Sequence, residues 1–238
     1  MHRWYVQGNQ SVQGIVACTS SFEPKNDSDS KGDYALFPEG LSPLPGLFGG
    51  RLMLYTVNFC PAAFGGNRYL HDADAAMSFP DPHGHYFAVP RAHASESAYG
   101  RLLDHGLAQG MTLFEIDFME KNFQEVPYYR TTAGAAEAWL DGISRAASTR
   151  GIPTQLCSAA PRGAVASVTQ EAVTQFRASM DFACGCDGEP RSGNWDIGGT
   201  ALLLSALRLG VSKDVFFTGN QTGINHGQVL VDPAWIAL

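Results

Sequence analysis

Along the chain, short apolar runs of strand character alternate with stretches whose apolar positions recur at helical spacing. Residues 51–59 (RLMLYTVNF) form the clearest buried-type strand, rich in β-branched or aromatic side chains, with Gly49 and Gly50 before it and Pro61 after it. Residues 12–19 read as an earlier strand, followed by a polar, turn-rich stretch over 23–33. From Ser95 onward the alternation becomes regular. Ser95 is the expected N-cap of a helix over 95–107, with Tyr99, Leu102 and Leu103 on one face. A strand over 112–118 (TLFEIDF) leads to the strongest helix, 132–150, in which Ala135, Trp139, Leu140, Ile143 and Ala147 share a face and Gly151 is the stop. Then come a strand over 153–158, a short helix over 168–173, a strand over 174–179, an apolar helix over 197–209 ending at Gly210, and a strand over 214–218.

Strands separated by helices of this length predict βαβ units and a parallel sheet. The expected class is α/β, a (β/α)8 barrel of the TIM type, incomplete because its first and last strands are not evident. The whole of 1–238 is expected to be one domain, either complete or truncated, interrupted by an irregular insertion at about 60–94 that carries Pro61, Pro80, Pro82 and Pro90.

Composition narrows the partners. The net charge of −7 argues against nucleic acid, whose phosphates require a basic stripe. A charged fraction of 16% with 14 Phe and 8 Tyr excludes a disordered chain. No apolar run approaches the roughly 18 residues that would cross a membrane. The five cysteines are too few and too irregular for a disulfide framework, and Cys184-Gly185-Cys186 lacks the spacing of a zinc knuckle. Met1-His2-Arg3-Trp4-Tyr5 lacks the apolar region of a signal peptide, while sequons at Asn9, Asn26 and Asn220 leave the compartment open. No Gly-rich phosphate loop follows a strand, and no cofactor is expected.

The chemistry is concentrated in two segments. In Phe114-Glu115-Ile116-Asp117-Phe118, period-two alternation places Glu115 and Asp117 on one face of a strand. Two inward carboxylates are costly unless used or paired, and the C-terminal end of a barrel strand is where catalytic groups arise. The plain alternative is that both pair with Arg or Lys at the barrel rim. The second segment, Arg177-Ala178-Ser179-Met180-Asp181, sets an acid four residues after an arginine at the end of a later strand. Its plain alternative is a local ion pair. An Arg nearby lowers a carboxylate's pKa, whereas burial or the charge of Asp117 raises it toward acid duty.

A strand ending in Asp117, then Cys157 with Pro161 after the next strand, then Arg177-x-x-x-Asp181, resembles the clan D glycoside hydrolases: α-galactosidases, α-N-acetylgalactosaminidases and raffinose-synthase-like (β/α)8 enzymes. The resemblance spans about residues 111–218. It implies Asp117 as nucleophile and Asp181 as acid/base, with substrate contacts from Arg177, Glu115, Cys157, Ser158 and Trp195 and an oligosaccharide or glycoside as the ligand. The family commonly carries Lys where this chain has Glu115, and Cys-x-Trp-Pro where it has Cys157-Ser158-Ala159-Ala160-Pro161. Among the aromatics, Trp195, Phe59 and Tyr128 are candidates for stacking on sugar faces, against the commoner role of core residues. The activity this implies is retaining hydrolysis of α-galactoside-type bonds. The alternative is an inactive barrel that binds carbohydrate or serves structurally. Asp81-Pro82-His83-Gly84-His85 also resembles the metal motif of barrel amidohydrolases, but Pro80 and Pro82 argue against a central strand there. A chitinase-like reading fails because Glu120 lies three residues after Asp117, off the shared face. The sequence leaves the sugar, the linkage and the oligomeric state open.

Overall fold

A computed structural model describes residues 2–4, 41–48, 52–56, 59, 69, 79–80, 87–88, 91–117, 119–157, 165–177 and 193–212. Six strands form one sheet: β1 (His2–Trp4), β2 (Leu52–Thr56), β5 (Met111–Ile116), β6 (Thr154–Leu156), β7 (Val173–Arg177) and β8 (Gly210–Ser212). Every pairing is parallel, and neighbours in the sheet follow chain order. A two-stranded antiparallel piece, β3 (Phe79–Pro80) with β4 (Phe87–Ala88), lies within the predicted insertion. The helices are α1 (Leu44–Phe48), α2 (Ala92–Ala108), α3 (Met119–Glu125), α4 (Pro127–Thr131), α5 (Ala135–Ser148) and α6 (Gly193–Ala206).

Sequential strand order decides the architecture. Right-handed crossovers that always advance in one direction place their helices on the same side of the sheet. The alternation within each strand agrees. Leu52, Leu54, Phe114, Ile116, Leu156 and Phe176 join the main apolar core with Leu102, Leu103, Trp139 and Ile143 of α2 and α5. The other parity, Met53, Tyr55, Leu113, Glu115 and Gln155, is also buried but lies outside that core. A sheet with helices on one side and a buried opposite face must curve onto itself. The fold is therefore the α/β, barrel-like arrangement expected, with six barrel strands among the described residues.

Several boundaries differ from expectation for identifiable reasons. Strand β1 was not evident in the sequence, because three residues are too few to show a period; the strand expected over 12–19 lies outside the described residues, as does the one over 214–218. Ser95 is not an N-cap. Helix α2 begins at Ala92, just after Pro90, with extended Arg91 before it, and Ser95 is buried inside, its hydroxyl donating to the Trp139 carbonyl at 3.1 Å. No helix forms over 168–173. That stretch is turns, and β7 starts at Val173, whose N–H donates to the Gln170 carbonyl. The stop after α6 is Arg208, at φ 60°, rather than Gly210. Gly210 begins β8, where a Cβ would come within 3.0 Å of the Thr174 carbonyl oxygen.

Candidate active site

The sheet register assembles the polar residues. Tyr55 lies beside Glu115, Glu115 beside Gln155, and Gln155 beside Gln175, forming one row across β2, β5, β6 and β7. Two residues further along the same strands, and so on the same face, come Asp117, Cys157 and Arg177. The ladder continues to that level: the Asp117 N–H donates to the Thr56 carbonyl at 2.9 Å and the Cys157 N–H to the Ile116 carbonyl at 2.9 Å. This second row therefore sits at the C-terminal ends of the parallel strands, the end at which barrel enzymes carry their active sites.

Both carboxylates are enclosed, Glu115 at 0% exposure and Asp117 at 6%. Glu115 accepts a hydrogen bond from Gln155 Nε2 at 3.1 Å on its Oε1. Asp117 accepts one from the Tyr55 hydroxyl. Burial first, and then the negative charge of Asp117, hold the Tyr55 phenol far above its ordinary range, so it remains protonated and acts as the donor. Arg177, itself buried, donates from Nη1 to Cys157 Sγ at 3.1 Å. Burial drives the Cys157 thiol well above its usual value; Asp117 and Glu115 add to this, and Arg177 partly opposes it.

These shifts have a testable consequence. Tyr55 and Cys157 both have folded values above their unfolded ones, so the stability they carry is complete below the unfolded values and is lost as pH rises through the folded ones. Stability is expected to decline above about pH 8.5, where an unfolded thiol begins to ionise. The Cys157 peptide is expected to resist alkylation at pH 8 in the native chain and to label fully once unfolded, measured by mass spectrometry. Equal labelling rates in both states would contradict the buried thiol.

Glu115, Asp117, Cys157 and Arg177 are thus brought together on one face of the sheet. Asp181 and Ser158 lie outside the described residues. The backbone of Trp195 is in α6, and its side chain is outside the described set. Phe59 is not a stacking platform: at 1% exposure it packs in the core, its ring centroid 5.0 Å from that of Tyr99. Tyr128 is half-buried against the core. Residues 81–85 also fall outside the description, and among the described residues no group of three or more His, Cys, Asp or Glu side chains is placed to hold a metal. Tyr55 and Gln155 were missed as site residues. Their signal was parity, since each occupies the strand position that pairs with Glu115.

No family model matches the chain, and no curated protein matches it. Among solved structures, it is similar to a GH27 β-L-arabinopyranosidase from Geobacillus stearothermophilus, with a TM-score of 0.51 and 14% identity, covering 82% of this chain and 46% of that one. It is also similar to an α-galactosidase from Thermus thermophilus solved in complex with stachyose, with a TM-score of 0.50 and 14% identity, covering 89% of this chain and 48% of that one. The chain therefore spans under half the length of these structures. At this identity the likeness shows a shared fold.

Proposed function

We propose that the chain provides the catalytic barrel of a retaining glycoside hydrolase acting on α-galactoside-type bonds. The observation that carries the reading is the enclosed Asp117 carboxylate at the C-terminal end of β5, oriented by Tyr55 in a polar row that also holds Arg177. Its fold is the one shared with the arabinopyranosidase and the α-galactosidase.

In the proposed reaction, Asp117 is ionised and attacks the anomeric carbon, forming a glycosyl-enzyme ester as the glycosidic bond breaks. The Tyr55 hydroxyl donates to the carboxylate and orients it for the attack. Asp181, protonated, gives its proton to the departing oxygen, then accepts a proton from the water that cleaves the ester. This double displacement requires the two carboxyl groups about 5–5.5 Å apart. Arg177, held against Cys157 in the same row, contacts sugar hydroxyls in this scheme. Glu115 lies one row deeper, bonded to Gln155, and sets the charge beneath the nucleophile.

The test is hydrolysis of an aryl α-galactoside by the purified chain, with the anomer first released followed by NMR. Cleavage with retention is the expected result. Inversion would remove the double displacement, and binding of the glycoside without turnover would make this a carbohydrate-binding barrel.

A further inference from the structure

Outside the carboxylate row, the described residues enclose a second concavity, a cleft of about 1090 Å3 between α3, α4, the first half of α5 and residues 165–170. It is at the upper end of the roughly 300–1,000 Å3 of small-ligand sites. The β6-to-β7 connection, helical at 165–167 and in turns at 168–172, supplies one wall of it. None of Tyr55, Glu115, Asp117, Cys157 or Arg177 lines it.

Its lining has a definite chemistry. Phe123 and Tyr129 contribute aromatic surface, their rings edge to face at 5.8 Å. Gln124 and Gln170 contribute amides, and Gln170 is held in place by its bond to Asp141 Oδ1 at 2.7 Å. Arg130 and Glu137 contribute one charge of each sign, so the cleft carries no net charge. Aromatic surface with amides and balanced charges suits a neutral ligand with apolar faces and many hydroxyls. An anion or cation would meet a repelling partner for every attracting one, and a purely apolar ligand would desolvate the Arg130 and Glu137 charges without compensation. One wall is α3, whose first residue, Met119, lies two residues after Asp117 in the chain.

We propose that this cleft is an accessory site for a neutral oligosaccharide, distinct from the site at Asp117. The choice of ligand rests on the glycosidase reading above.

The test is calorimetric titration of stachyose into the full chain carrying Asp117→Asn, which prevents turnover. Ala166 is exposed on the cleft wall, so Ala166→Trp fills the space from the surface. Added to Asp117→Asn, it is expected to weaken stachyose binding at the cleft at least tenfold, whereas Arg177→Ala leaves that binding unchanged. Arg130→Ala, at another exposed lining position, is a second probe should Ala166→Trp fail to fold, and is expected to weaken binding severalfold. Binding insensitive to both cleft variants, or abolished by Arg177→Ala, would place the sugar elsewhere and overturn the proposal, as would no binding at about ten millimolar stachyose. Hydrolysis of an aryl α-galactoside is expected to be unaffected by Ala166→Trp, since none of the carboxylate-row residues lines the cleft. Cleft binding without that hydrolysis would defeat the enzyme reading and leave the accessory site standing. Hydrolysis without cleft binding would do the reverse.

Discussion

Asp117→Asn is expected to lower aryl α-galactoside hydrolysis by on the order of 10⁴-fold, the scale of losing a nucleophile whose role no neighbour can assume. An amide oxygen is too weak a nucleophile to open the acetal, while the shape of the site is kept, so glycoside binding should survive. In Asp117→Ala, which removes the carboxyl group and leaves room for a small anion, added azide should restore turnover, and the product should be the inverted glycosyl azide. Activity that survives the substitution would end the assignment of Asp117. Tyr55→Phe sharpens the test. It removes the hydrogen bond by which the phenol orients the Asp117 carboxylate, so the attacking group is less well positioned in the transition state. A loss of about tenfold in kcat with KM little changed is expected; an unchanged kcat would mean that Tyr55 only fills space.

The largest expected effect on stability comes from Gly142→Ala. In an ordinary helix interior this change stabilises by about 1 kcal/mol, since alanine restricts the unfolded chain. Here the added Cβ would lie 2.5 Å from the Ala92 carbonyl oxygen and 2.5 Å from Ser95 Cβ. Both belong to α2, and a backbone carbonyl cannot rotate away, so the helices must separate. That separation strains the Ser95 bond to the Trp139 carbonyl and loosens the packing around Trp139 and Tyr99. Overpacking of this kind costs about 1–3 kcal/mol, and here it outweighs the propensity gain. A net loss of about 1–2 kcal/mol corresponds to a fall in Tm of about 2–8 °C for a chain of this size. Gly199, in α6, is the matched control, with nothing within 4 Å of its Cβ position. Gly199→Ala should be neutral or mildly stabilising. Equal losses at both positions would show that helical glycine, rather than the contact with α2, sets the effect.

Much of the fold was legible because the strong elements carry their own periodicity. Residues 112–118 alternate so regularly that the helix-facing set, Phe114 and Ile116, and the inner set, Glu115 and Asp117, separate before any partner is known. Helix α5 is equally self-evident from Trp139, Leu140 and Ile143. Weak local signals failed where neighbours decided the outcome. Ser95 has the chemistry of an N-cap, yet a buried carbonyl on α5 claims its hydroxyl. Residues 168–173 have adequate helical propensity, yet Ala172 is committed to the sheet, its carbonyl accepting from the Thr154 N–H at 2.8 Å, and its own N–H donates to Ser144 Oγ.

The same division runs through the candidate site. The sequence by itself determined which residues share a face and in what order they reach the strand ends, because alternation along a strand is a local property. Which strands stand side by side, and in what register, depends on hydrogen bonds between segments far apart in the chain, so only the tertiary structure decided that Tyr55 donates to Asp117, that Gln155 holds Glu115, and that Arg177 rests on Cys157. The enclosure that raises the Tyr55 and Cys157 values is likewise a product of the curved sheet. No single strand can bury its own polar face.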